Sequence, residues 1–323
     1  MRKITLLCAV LLCFAGALWA QGQSEEITAS FPTQPITLTV PYGAGGNADV
    51  LARAVAEHAN EVMGQPMGVV NRTGAGGVVA VTEFIEKKPD GYNIITANIG
   101  LMAIRPQTTK VMYSYDDYIP IIGNIGKTAM VVCASASSEI KDFNSLEAYG
   151  INNIIKYSTF GLKSDSHMLQ AALFTEMDAK ATPVPFDKVT EPIASLLGGN
   201  IDLVCALAPV VAPYVESGEL VPIITFNDSM EVKFKNTEAV PSAISLGYDI
   251  DYSGFNFYAV PKGTPVEIVE FYQEKFAEIF EMSEIKELQE RMGFVVDPLT
   301  PDEIDAKITR GIEDVKQWLK YVE

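Results

Sequence analysis

Ile36-Thr37-Leu38-Thr39-Val40-Pro41-Tyr42-Gly43-Ala44-Gly45-Gly46-Asn47-Ala48-Asp49 is the stretch that decides the fold. Its first five residues are β-rich and short, and the glycines after Tyr42 break the run. The chain then turns helical from about Ala48 to Met63, with Leu51, Ala54, Val55, Ala59 and Val62 at helical spacing. Working outward, Met67 to Val70 reads as a strand, Val78 to Lys87 as a helix, Pro89-Asp90-Gly91 as a turn and Tyr92 to Ala97 as a strand. That is a βαβαβ unit, for which a parallel sheet is expected.

The same plan returns further on. Ile154 to Ser158 reads as a strand, Asp165 to Met177 as a helix, Thr182 to Pro185 as a strand, Glu191 to Leu197 as a helix and Ile201 to Ala206 as a strand. Gly198-Gly199-Asn200 stops the second of these helices. No Pro/Ser/Gly-rich tether separates the halves, so extended strands are expected to carry the chain between two α/β units. Domain 1 is expected to be discontinuous, over residues 27–128 and 253–323, with domain 2 over 129–252. Near the C-terminus, Thr264-Pro265-Val266-Glu267 and Thr300-Pro301-Asp302-Glu303 both have the spacing of a capping box, with Thr at the N-cap.

Of 323 residues, 48% are apolar and 20% charged, as in a chain with a sizeable core and not a disordered one. Lys and Arg total 24 against 41 Asp and Glu, a net charge of -17. Such a surface repels phosphate backbones, so nucleic acid is excluded as a partner. A local cleft can still oppose the global sign. Arg2 and Lys3, the apolar run Ile4 to Leu18 and the small residues near Ala20 and Gly22 form an export signal over residues 1–22. The run is short for a membrane span, and lipid attachment at Cys8 or Cys13 is disfavoured by the leucines before them. The mature chain is therefore expected in the periplasm. It keeps Cys133 and Cys205, both inside apolar runs and read as buried thiols, although an exported chain permits a disulfide.

Three loops are placed to carry chemistry. Tyr42, Gly43, Ala44, Gly45, Gly46, Asn47 and Asp49 lie between a strand and a helix start, where unpaired N–H groups favour an anion. Asn71-Arg72-Thr73-Gly74-Ala75-Gly76-Gly77 is either a tight connection or, through Gly76, a second wall of the same cleft, because loops at strand C-termini converge there. Ser158, Thr159, Phe160, Gly161, Lys163 and Ser164 precede the helix that carries His167, and repeat the first loop's physics in the second half. Asp49 and Arg53 are spaced for an ion pair that supports the first loop. There is no Walker sequence, no full dinucleotide fingerprint, no Gly-x-Ser-x-Gly elbow and no paired His or Cys. Neither a cofactor nor a metal is expected, and an exported hydrolase is the weakest reading.

Taken in order, Phe31-Pro32-Thr33-Gln34-Pro35-Ile36, Val40 to Asp49 with Ala52-Arg53, Asn71 to Gly77, Pro89-Asp90-Gly91-Tyr92, Tyr157 to Ser164 with His167, Leu196 to Asp202 and Ala259 to Pro265 resemble the motifs of the tripartite tricarboxylate transporter receptors, the Bug family of solute-binding proteins. The resemblance spans nearly the whole mature chain. It implies an α/β, two-domain periplasmic-binding-protein (type II-like) fold with a ligand cleft between domains, and no catalysis. It also implies delivery to a permease of one large and one small membrane subunit, from a receptor expected to be a monomer. It implies that Tyr42 to Asn47 and Ser158 to Ser164 hold a ligand carboxylate like pincers. The chain departs from the pattern at Ala44, where Pro is usual, at Ser158-Thr159-Phe160-Gly161, and at Lys163, where a small residue is usual. A di- or tricarboxylate or an acidic amino acid is the expected ligand, with Lys163 a partner for a second carboxylate. The alternative is a sensor that docks on a histidine-kinase ectodomain.

Overall fold

A computed structural model describes residues 31–123, 129–186, 191–227, 231–252, 254–292, 294 and 298–322. The expected export signal and the expected junctions at 128 and 253 lie outside the described residues.

The alternating run Ile36–Val40 forms β1, with Ile36, Leu38 and Val40 buried. Helix α1 (Asn47–Met63) follows and buries Leu51, Ala52, Val55, Ala59 and Met63. It ends at Gly64, whose φ of 77° suits a residue without a Cβ. Strand β2 (Met67–Asn71), helix α2 (Val78–Ile85) and strand β3 (Asn93–Asn98) complete the unit. Both β2 and β3 pair parallel to β1, as the pattern predicts. A π-helical turn, Gly100–Ile104, then runs into the short α3 (Arg105–Thr108). Strand β4 (Tyr118–Gly123) ends this part of the chain.

The second unit opens with β5 (Met130–Ser135) and α4 (Phe143–Asn152). Then come β6 (Ile155–Thr159), α5 (Asp165–Glu176), β7 (Ala181–Pro185), α6 (Glu191–Leu197), β8 (Leu203–Leu207), α7 (Ala208–Glu216) and β9 (Leu220–Thr225). A small antiparallel pair, β10 (Val232–Lys233) with β11 (Ala239–Val240), precedes β12 (Asn256–Pro261). Helices α8 (Val266–Phe280), α9 (Ser283–Arg291) and α10 (Pro301–Trp318) close the chain.

The two main sheets have strand orders β2-β1-β3-β12-β4 and β7-β6-β8-β5-β9. Position for position they match. Each has three parallel strands from one βαβαβ run, then a fourth strand antiparallel to both its neighbours. That fourth strand is the one that arrives from the other sheet, β12 in the first and β5 in the second. The sheets are thus mixed where the sequence pattern predicts parallel ones, because the exchanged strands return in the opposite direction.

The C-terminal helix α10 packs on β4 and the π-helical turn, and also reaches α5 of the second unit. Just beyond it, the Tyr321 hydroxyl donates to Glu176 Oε1 at 3.0 Å. One buried cluster, including Phe257, Trp318, Phe226 and Leu173, runs continuously from the first sheet to the second.

Only one of the two expected C-terminal capping boxes forms. Thr300 Oγ1 accepts from the Glu303 N–H, and Glu303 returns the bond to the Thr300 N–H at 2.9 Å. Thr264 instead gives its hydroxyl to the Pro261 carbonyl at 2.8 Å, and α8 starts two residues later without a side-chain cap. The tight Pro261–Thr264 turn takes the hydroxyl first.

Cys133 and Cys205 are buried, unbonded and on adjacent strands. In register, Cys133 faces Val204 and Cys205 faces Val132. The thiols therefore point to opposite faces of the sheet, where a disulfide cannot join them. Burial pushes both thiols well above their ordinary range. Thiol labelling of the processed chain should give no adduct when folded and two when denatured without reductant; one adduct or none on the denatured chain would contradict this.

Candidate functional site

Between the two sheets lies a cleft of about 590 Å³. It opens at the C-terminal ends of the parallel strands, where crevices form in α/β sheets. From the first unit it is lined by Tyr42 after β1, Gly76 after β2, and Asn98, Gly100 and Arg105 at and beyond the end of β3. From the second it is lined by Phe160, Lys163, Ser164 and Asp165 after β6, and by Phe186 after β7. Of the residues singled out from sequence, Tyr42, Gly76, Phe160, Lys163 and Ser164 line the cleft. Gly43, Ala44, Gly45, Gly46, Asn47, Asp49, Ser158, Thr159, Gly161 and His167 sit outside its lining.

The first loop is a braced turn. Asp49, 3% exposed, accepts from the Gly45 N–H at 2.8 Å, from Arg53 Nε at 3.0 Å and from Asn71 Nδ2 at 2.8 Å. Asn71 also bonds the Tyr42 carbonyl, so one carboxylate ties the first two loops together. Gly45 has φ 82°, and Gly43 through Asn47 are exposed. These bonds, Arg53 foremost, pull the Asp49 carboxyl down from 3.8 to about 2. A carboxylate held below its free value stabilises the folded chain above that value, and the contribution fades as pH falls toward the lowered one. Thermal melts of Asp49→Asn between about pH 5 and pH 2 should therefore lose stability less steeply than wild type. Parallel curves would contradict the bracing role.

Tyr42 leaves the loop and enters the cleft, where its hydroxyl accepts from Asn98 Nδ2 at 2.5 Å. Burial, and then the nearby Asp165 charge, push its phenol up to about 12, so it stays protonated. Asn98 also accepts from the Leu101 N–H at 2.8 Å, which fixes the start of the π-helical turn. That turn delivers Arg105 to the wall, and a side chain on Gly76 would stand 3.3 Å from Arg105 Nη2. The open alternatives for the second loop thus both hold. Gly74, Gly76 and Gly77 all have positive φ, and Gly76 also lines the cleft.

The loop after β6 is stiffened by hydroxyls. Ser158 is fully buried, and its Oγ accepts from the Cys205 N–H. Thr159 Oγ1 donates to the Gly161 carbonyl at 2.9 Å. Ser166 Oγ accepts from the Phe160 N–H at 3.2 Å, and Ser164 caps α5 by accepting from the His167 N–H. His167 Nδ1 accepts from the Lys163 N–H at 2.8 Å, and burial lowers its pKa, so the ring is neutral. Lys163 has φ 62°, in the region that favours glycine, and lines the cleft. The N–H groups of Gly45, Phe160, Lys163 and Ser164 are thus bonded within the protein.

Sequence reasoning did not single out Asn98, Arg105 or Asp165. Asp165 accepts from the Tyr252 hydroxyl at 2.8 Å, and Tyr252 belongs to the segment leading back to the first sheet. Neither Arg105 nor Lys163 has a salt-bridge partner among the described residues. Those residues also contain no cluster suited to a metal ion and no helix long and apolar enough to cross a membrane.

Comparison with known proteins agrees with this architecture. Residues 51–320 match the model of the tripartite tricarboxylate transporter family receptors. A UPF0065 protein of Cupriavidus necator is 30% identical over 84% of this chain and 81% of its own. BugT of Bordetella pertussis is 25% identical over 99% and 97%. A TctC solute-binding protein from Polaromonas superposes with a TM-score of 0.76 at 26% identity, over 90% of this chain and 99% of that one. Two strand-exchanged sheets around a polar cleft, and a family match over most of the chain, make this protein a member of the tripartite tricarboxylate transporter receptor family, a family of solute-binding receptors.

Proposed function

We propose that this receptor captures a small carboxylate in the cleft between its two lobes and delivers it to a permease of one large and one small membrane subunit. In this reading residues 27–128 with 253–323 form one lobe and 129–252 the other. The first 22 residues are a cleaved export signal, and the work is done in the periplasm by binding, not catalysis. The observation that carries it is the pair of cations. Arg105 from one lobe and Lys163 from the other line the same cavity without salt-bridge partners among the described residues, in a chain of net charge -17. A carboxylate between them would receive charge-assisted bonds from both sides and hold the lobes together. Several such bonds at about 1.5–3 kcal/mol each support micromolar binding, about 8 kcal/mol, after the costs of association.

Thermal-shift and calorimetric titration with mono-, di- and tricarboxylates, and with neutral sugars and amides of matched size, tests this. Carboxylates should raise the melting temperature, with about 2.7 kcal/mol of added stability at a hundredfold excess over Kd. Binding by neutral compounds alone would overturn it.

A further inference from the structure

Resting on that reading, we infer that the ligand carries an amino group beside its carboxylate, and that Asp165 is the residue that receives the amine. The cleft is not uniformly basic. Asp165 stands on its wall in the first turn of α5, with Oδ1 accepting from the Ser166 N–H and Oδ2 from the Tyr252 hydroxyl, each at 2.8 Å. It makes no salt bridge with any described residue. An acidic residue at a helix start is ordinary, because the helix dipole favours it. This one does more, because it reaches the opposite lobe. A side-chain carbon on Gly100 would lie 3.2 Å from both Asp165 Oδ2 and Asn98 Oδ1, and 3.7 Å from the Tyr252 hydroxyl oxygen. These three oxygens therefore lie close together beside Gly100, which lines the cleft and has no side chain to come between them.

That corner offers acceptors, whereas Arg105 and Lys163 offer only donors. An ammonium has three donors and a positive charge, and it completes a corner of this kind. A plain dicarboxylate would instead bring a second negative charge into a cavity that already holds Asp165. The residues therefore describe a zwitterion, with its acid end toward Arg105 and Lys163 and its amine toward Asp165, Asn98 and Tyr252.

Calorimetry with matched pairs reads this directly: aspartate against succinate, glutamate against glutarate, and 4-aminobutyrate against butyrate. In wild type the amino member of the bound pair should be tighter by about ten- to hundredfold, the ratio that one charge-assisted hydrogen bond supplies. Asp165→Asn should bring the two members to within about threefold, by weakening the amino acid. Gly100→Ala leaves Asp165 intact and fills the corner from the other lobe, so it should also cost the amino acid more than the plain acid. Melting curves establish that both variants are folded. A plain acid that binds as tightly as its amino partner in wild type overturns the inference and leaves the carboxylate receptor standing. A preference that survives Asp165→Asn removes Asp165 from the role. If no acid in the panel binds, both readings fall together.

Discussion

Replacing Arg105 with alanine is expected to weaken carboxylate binding by about a hundredfold or more, the loss of two charge-assisted hydrogen bonds at about 1.5 kcal/mol each. The size follows from placement. The guanidinium has no salt-bridge partner among the described residues and lies over the bare backbone of Gly76, on the cleft wall. A planar fork there matches a carboxylate, so Arg105→Lys should recover only part of the affinity, keeping the charge and losing the paired geometry. Titration of wild type, Arg105→Ala and Arg105→Lys with the best acid checks this. Equal affinities would remove Arg105 from the site.

The second large effect concerns the scaffold behind that wall. Gly77 has φ 99°, and a Cβ there would meet Leu101 Cδ2 at 2.6 Å and Pro41 Cβ at 3.2 Å. It is the contact point of three segments: the start of the first loop, the end of the second, and the π-helical turn that carries Arg105. Gly77→Ala should cost about 1–2 kcal/mol from the left-handed backbone and about 1–3 kcal/mol from overpacking against Leu101 and Pro41. Gly161→Ala is the control, because Gly161 has φ 110° but no atom within 4 Å of a Cβ, so only the backbone cost applies. Urea unfolding of both variants should show the larger loss at Gly77. Equal losses would mean that the three segments do not depend on this close approach.

Much of this architecture is legible in the sequence because it is local. Ile36 to Val40 alternates, Leu51, Val55 and Ala59 share a helix face, and glycines follow β1, β2, β3 and β6, where the strand hands over to a helix. These patterns suffice for two βαβαβ runs. What they cannot carry is direction after a long excursion. Nothing near Asn256 or Met130 says that these strands run antiparallel to both their neighbours, because that is set by where the chain enters each sheet. The missed site residues share this cause. Tyr42 and Asn98 are bonded across 56 positions, and Asp165 and Tyr252 across 87, so no motif contains either pair. Arg105 follows an apolar run that reads as core. The glycine loops read as anion cradles, and three of their N–H groups, those of Gly45, Phe160 and Lys163, go to Asp49, Ser166 and His167, which stiffen the loops. Thr264 shows the limit of motif reading at its smallest scale. It has the right spacing for a cap, but a tighter turn takes its hydroxyl.

A crystal structure of the protein with its tightest-binding acid will show whether a carboxylate is held between the lobes by Arg105 and Lys163. The carboxylate is expected within about 3 Å of the Arg105 guanidinium, with the Lys163 ammonium on its other side. A ligand bound elsewhere, or one in this cleft whose carboxylate touches neither cation, would contradict it.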